Sequence, residues 1–125
     1  MGVSIYYAAT RPTPLSPAER AAVDAIIGRY PLDRLVSDVG ADSRRFDGED
    51  FLVYPPGEET EPGTVFEGAT GLPLSSEDAL WAATRYWCQL LSEVRLALPG
   101  ANWQVHIDDH DIPWDEERQE FDPSA

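Results

Sequence analysis

Residues 64–108, TVFEGATGLPLSSEDALWAATRYWCQLLSEVRLALPGANWQVHID, decide the fold. The middle of this stretch is a helix. Leu80, Ala83, Trp87, Leu90, Leu91, Val94 and Leu98 recur at steps of three and four, which places them on one helical face. Ser75-Ser76-Glu77-Asp78 offers an N-cap followed by acids at the positive end of the helix dipole. Pro99-Gly100 stops the helix. A strand is expected on either side. Thr64 to Thr70 precedes the helix, and Trp103 to Asp108 follows it. In the second strand Trp103, Val105 and Ile107 face one way, while Gln104, His106 and Asp108 face the other.

Working outward, the N-terminal part repeats the plan. Residues 2–9, GVSIYYAA, alternate Val3, Ile5 and Tyr7 with Ser4, Tyr6 and Ala8, the two-residue period of a strand. Arg11-Pro12-Thr13-Pro14 breaks it. Ser16-Pro17-Ala18-Glu19 then starts a helix, with Ser16 as N-cap, Pro17 at the first helical position and Glu19 closing a capping box. Ala22, Val23, Ile26, Ile27 and Tyr30 form its apolar stripe, and Pro31 ends it. A further short turn is expected over Leu32 to Val39. Residues 41–50 are polar and turn-rich. Phe51 to Tyr54 reads as a short strand stopped by Pro55-Pro56, and residues 57–63 as the loop that follows.

The order is therefore strand, helix, strand, strand, helix, strand. It predicts an α+β, ferredoxin-like split βαβ fold, with a four-stranded antiparallel sheet and two helices on one face. Two helices with one apolar stripe each are both buried by one sheet, which leaves the other sheet face open. Residues 1–111 are read as the single domain and 112–125 as an acidic C-terminal tail, with Ile112 and Trp114 able to fold back on it.

The chain has 125 residues, 42% of them aliphatic, aromatic or cysteine and 26% charged, which suits one globular domain. No apolar run approaches the ~20 residues of a membrane span. The segment MGVSIYYAAT carries no basic and apolar targeting pattern, so a cytoplasmic location is expected. Cys88 is the only cysteine, so no internal disulfide forms.

Charge is the most unusual property. The net charge is −14, and all nine bases are arginine. The absence of lysine excludes Schiff-base chemistry and a phosphate-loop lysine. Nucleic acid is not expected as a partner, because phosphate recognition needs a basic footprint. Residues 1–46 are nearly balanced, with six arginines against five acids. Residues 47–125 carry three arginines against eighteen acids. Eight acids and one arginine fall between Asp108 and Asp122. Such asymmetry steers a basic partner, although acids also simply keep a small protein soluble.

Three functional readings compete. In the first, the chain binds a basic protein surface, using Tyr6, His106, Asp108, Asp109, Asp111, Trp114, Asp115, Glu116 and Glu117. Tryptophan and tyrosine are favoured at interface hot spots, and surrounding acids would guide the encounter. In size, charge and lack of a catalytic motif, the chain resembles the compact acidic immunity proteins that neutralise bacterial toxins by masking a basic active site. In the second reading, His106, Asp108 and His110 point to one side of an extended strand and meet a metal ion, or His106 is a general base oriented by Asp108 or Glu67. The solvent-exposed end of a strand accounts for the same residues. In the third, the open sheet face makes a homodimer. No cofactor is expected. No catalytic residue is assigned, because the nucleophile elbow, the glycine-rich phosphate loop and HExxH are all missing. Cys88 lies among Trp87, Leu90 and Leu91, where a thiol behaves as a small hydrophobe.

Overall fold

The computed structural model describes residues 3–38, 48–54, 62–74 and 76–124. Over these residues the chain is α+β, with a four-stranded antiparallel sheet. Strand β1 (Val3–Thr10) is followed by α1 (Pro17–Gly28) and α2 (Leu32–Asp38). Then come β2 (Thr64–Leu72), α3 (Glu77–Ala97) and β3 (Asn102–Ile107). Three two-residue strands complete it: β4 (His110–Asp111), β5 (Trp114–Asp115) and β6 (Glu120–Phe121). The main sheet runs β2-β1-β3-β4, and β5 pairs with β6 in a separate hairpin. Among the described residues no helix is long and apolar enough to cross a membrane.

Local chemistry explains the helices. Ser16 and Glu19 form the expected capping box, in which each side chain accepts a hydrogen bond from the other residue's backbone N–H. This satisfies two donors that the first helical turn leaves without partners. Pro31 removes a helical donor, so the first helical arm bends there and resumes as α2. Ser76 caps α3 by accepting from the Ala79 N–H at 3.0 Å.

The alternation in β1 separates two environments. Ile5, Tyr7 and Ala9 are buried against the helices, while Tyr6 stands exposed on the other face. From α3, Ala83, Trp87, Leu90, Leu91, Val94 and Leu98 enter the core, joined by Val23 and Ile26 of α1 and Leu35 of α2. Aromatic rings run through it. Tyr86 meets Trp87 edge-on, Trp87 meets Phe51, and Phe51 stacks on Tyr7 with centroids 4.6 Å apart. Phe66 then contacts Trp103, and Trp103 contacts Phe121.

The fourth strand differs from the sequence expectation. It is His110–Asp111 beside β3, at the edge opposite to the one expected for Phe51 to Tyr54. Residues 49–54 are not a regular strand, yet they lie along the outer edge of β2. The Glu49 N–H donates to the Gly71 carbonyl at 2.9 Å, and the Tyr54 N–H to the Glu67 carbonyl at 2.8 Å. Side chains complete the attachment. The Leu52 N–H donates to Thr70 Oγ1, and the Tyr7 hydroxyl donates to the Leu52 carbonyl. Tyr7 has one hydroxyl hydrogen, so Thr70 must be the donor in their 2.8 Å contact. The three groups thus close a ring of hydrogen bonds. Gly68 makes room for it, because a Cβ there would lie 2.1 Å from the Leu52 carbonyl oxygen and 2.6 Å from Tyr7 Cε2. Most of the expected turn at 41–50 and loop at 57–63, together with Val39, Pro55, Pro56 and Ser75, lie outside the described residues.

Candidate functional site

The acidic C-terminal part consists of two consecutive hairpins. The first joins β3 to β4 through Asp108-Asp109. His106 pairs with Asp111, and Ile107 with His110. Asp108 takes φ 48°, the left-handed backbone found in tight two-residue turns. Asp108, Asp109 and Asp111 are all exposed. Ile112 leaves this turn, donates its N–H to the Val105 carbonyl at 2.8 Å and buries its side chain in the core.

The second hairpin joins β5 to β6 and packs on α3. Phe121 is buried, and its N–H donates to Ser92 Oγ at 2.9 Å. The Asp122 N–H donates to the Pro113 carbonyl at 2.9 Å. The Arg95 guanidinium lies 4.2 Å from the centre of the Trp114 ring, and Trp114 meets Phe121 edge-on. Burial lowers the pKa of Arg95 below its usual value. At the tip, the Asp115 carboxylate accepts from the Glu117 and Arg118 N–H groups. Arg118 reaches Asp115 at 3.9 Å and Glu120 at 3.7 Å. Between Asp108 and Asp122 the sequence thus sets one arginine, Arg118, against eight acids, with Arg95 of α3 over the Trp114 ring.

The structure divides the residues that the sequence grouped together. Tyr6 and His106 pair across β1 and β3, and their rings stack with centroids 5.1 Å apart and planes 17° apart. His106 Nδ1 lies 2.9 Å from the Asp108 carbonyl oxygen, and Asp111 is cross-strand to His106. These groups share the open sheet face. Trp114 does not, because it lies over α3 between Arg95 and Phe121. Asp115, Glu116 and Glu117 sit at the tip of the second hairpin.

The convergence of His106, Asp108 and His110 that the metal reading needs does not occur. The turn at Asp108-Asp109 reverses the chain, so His110 pairs with Ile107 and lies on the opposite sheet face from His106. Among the described residues, no group of three His, Cys, Asp or Glu side chains could hold a metal ion. Cys88 is buried, and burial pushes its thiol up to about 12. Such a thiol carries no useful thiolate at neutral pH.

Sequence reasoning missed two residues of the open face. Tyr54, Glu67 and Gln104 border a cleft of about 170 Å³ beside Tyr6 and His106. Glu67 was expected on the open face and as an orienting partner for His106, Gln104 was placed on the His106 side of its strand without a site role, and Tyr54 was read only as part of a short strand. Gln104 was legible from strand alternation with His106, but Tyr54 reaches the cleft only through its tertiary contact with β2. A second depression, lined by Gln104, His106, Asp108, Asp109 and Asp111, continues from the cleft to the acidic turn.

Comparison with protein-family models, with curated proteins and with solved structures finds no match to the chain.

Proposed function

We propose that the chain is a small binding protein that engages a basic protein surface through its two acidic hairpins. The observation that carries this reading is how those hairpins are held. Eight acids lie between Asp108 and Asp122, on segments pinned by the buried Ile112 and Phe121. A fixed display of like charge steers an oppositely charged partner, and less ordering entropy opposes its binding. The immunity-like form of this reading, in which the acidic surface masks a basic active site, draws support from the small size and the net charge of −14. A cytoplasmic location remains part of the same proposal. We also read the fold as ferredoxin-like, with residues 49–54 in the place of the second strand. Their antiparallel attachment to the outer edge of β2 supports that reading.

The test uses the intact chain and the Asp115→Ser/Glu116→Ser/Glu117→Ser variant to capture partners from host lysate at low salt. A basic protein held by the first and lost by the second is then purified and titrated against both. The expected result is a 1:1 complex that weakens as salt rises and is weaker still for the variant. A complex indifferent to both salt and the variant overturns the reading.

A further inference from the structure

Pro113 stops the last strand of the main sheet early, and the neighbouring strand is left with an open edge. β3 runs over six residues, Asn102–Ile107, but β4 pairs with only the last two, His106 and Ile107. Had the ladder gone on in that register, Ile112 would oppose Val105, Pro113 would oppose Gln104 and Trp114 would oppose Trp103. Proline has no N–H to give to a ladder. The Pro113 carbonyl accepts from the Asp122 N–H, and Trp114 pairs with Phe121 over α3. Val105 still finds a partner, because its carbonyl accepts from the Ile112 N–H at 2.8 Å. That bond fixes the parity of the strand. Alternate residues send their backbone groups to the same side, so the Trp103 N–H and carbonyl also point outward, away from β1. Among the described residues neither group has a hydrogen-bond partner.

We propose that this edge receives an extended basic segment of the partner, added as a strand beside Asn102–Gln104, a proposal that rests on the function proposed above. An unpaired strand edge is a template for another chain, whose backbone supplies the missing donor and acceptor. Charge selects which chain. The depression along this edge runs from Trp103 and Gln104 past His106 to Asp108, Asp109 and Asp111. All three aspartates are exposed. Asp111 stands opposite His106, so it shares the open face with His106 and Gln104. A basic side chain on that face of an added strand therefore meets Asp111 first. Trp103 offers only two backbone hydrogen bonds, so the charge contacts must supply part of the affinity. A second copy of this chain is the wrong occupant. Edge-to-edge pairing would bring together two acidic turns and two net charges of −14.

The experiment is a nuclear magnetic resonance titration of the full chain at low salt. The probe is the capped pentapeptide N-acetyl-Arg-Val-Arg-Val-Arg-amide, followed to millimolar concentration. Two controls stand beside it: the analogue with glutamate in place of arginine, and the arginine peptide with its three central amides N-methylated. The expected result is saturable shifts at the Trp103, Gln104, Asp111 and Ile112 amides with the arginine peptide. Exchange of the Trp103 amide hydrogen slows at saturation. N-methylation weakens binding by about two- to tenfold for each hydrogen bond lost, and the glutamate peptide gives no shifts. Asp111→Asn weakens arginine-peptide binding by about two- to fivefold, the range of an exposed ion pair. Its unchanged amide spectrum elsewhere shows that the variant folds.

Equal binding of the N-methylated peptide, shifts centred on residues 115–122, or indifference to Asp111→Asn each overturn the proposal. Shifts of these amides on raising protein concentration without peptide mean that a second copy covers the edge, which also overturns it. If the peptide gives no shift while the hairpin-dependent complex stands, only the strand-edge site falls. If the peptide binds while no basic protein is captured, the binding-protein reading falls and the edge stands as a site for a basic peptide.

Discussion

The two faces of the main sheet are built from the same strands by opposite rules. Toward the helices, Ile5, Tyr7 and Ala9 meet Trp87, Leu90 and Leu91, all nearly inaccessible to solvent. Away from them, Ser4, Tyr6 and Ala8 face a shallow surface where, among the described residues, Tyr6, Tyr54 and His106 border a cleft. One face stores stability in apolar area and close packing. The other is free to vary in side chain at little cost to the fold, and the candidate site lies there. Mutations should therefore sort by face, with stability falling on one side and binding on the other.

The largest effect is expected at Trp87. Its side chain is 0% exposed and touches both Tyr86 and Phe51. Truncation of a buried tryptophan costs about 3–5 kcal/mol, a large part of the ~5–15 kcal/mol that holds such a domain together. Chemical denaturation of Trp87→Ala should show a midpoint far below that of the native chain. An unchanged midpoint would mean that α3 does not seal the covered face.

Gly68 comes next, because it lets the covered face extend past the assigned edge of the sheet. A methyl group there collides with the Leu52 carbonyl and the Tyr7 ring. Gly68→Ala should destabilise by about 1–3 kcal/mol, the usual range for overpacking. Hydrogen exchange should speed up at the Glu49 and Tyr54 amides, which bond to β2. The matched control is Gly28→Ala. Nothing lies within 4 Å of a Cβ there, so this change should be neutral or stabilise by up to ~1 kcal/mol.

These two positions also show what a sequence can reveal. The α3 stripe, the capping box of α1 and the alternation in β1 were all legible, because each is a local period or a local hydrogen bond. The attachment of residues 49–54 was legible only as a short apolar strand. Its register depends on Tyr7 and Thr70, residues distant in sequence. The β3–β4 turn was missed for a different reason. Asp108-Asp109 lacks the glycine that usually marks a two-residue hairpin, so the chain reads as extended through His110. That error placed His106 and His110 together on one face. The second hairpin carries an equally quiet signal, a left-handed Gln119 at φ 56°. Tyr6 and His106 were legible as open-face residues, but Tyr54 reached the same site through the nonlocal edge contact.

Arg95 gives a smaller and more local test. It lies over Trp114 and near Phe121, so it latches the second hairpin to α3. Arg95→Gln should remove about 0.5–2 kcal/mol, the span of cation–π contacts from exposed to desolvated. Faster exchange at the Phe121 and Asp122 amides, with Tyr7 and Trp87 still protected, would locate the loss. Equal loss throughout the core would show that the hairpin unfolds with the domain rather than ahead of it.

The Arg11–Glu19 pair tests the same separation by pH. Arg11 donates to Glu19 Oε2 at 2.8 Å, and the Ser16 N–H donates to Oε1 at 3.0 Å. The Arg11 guanidinium first, and the Ser16 backbone second, hold the Glu19 carboxyl down to about 2 from an ordinary 4.5. A depressed carboxyl stabilises the fold above its unfolded value, and this contribution is lost as pH falls toward 2. Between pH 5 and pH 2, the melting temperatures of the native chain and Glu19→Gln should converge. A constant gap would show that Glu19 acts through packing or capping geometry rather than charge.

The smallest stability change is expected on the open face, and for that reason it separates the two faces most cleanly. Tyr6→Thr places a β-branched residue, which suits a strand, in a central strand and removes a ring that is already 41% exposed. The lost partner is the stacked His106 ring, whose Nδ1 contact with the Asp108 carbonyl remains available. The unfolding free energy should move by no more than about 1 kcal/mol, in keeping with a partly exposed cross-strand pair. The same substitution should weaken the complex with the basic partner of the proposed function, read by titration of the purified partner. Trp87→Ala gives the converse under conditions where it remains folded, with a large loss of stability and a nearly unchanged affinity of the folded fraction for that partner. If Tyr6→Thr instead unfolds the chain, the ring is structural, and the division of labour between the two faces fails at its central residue.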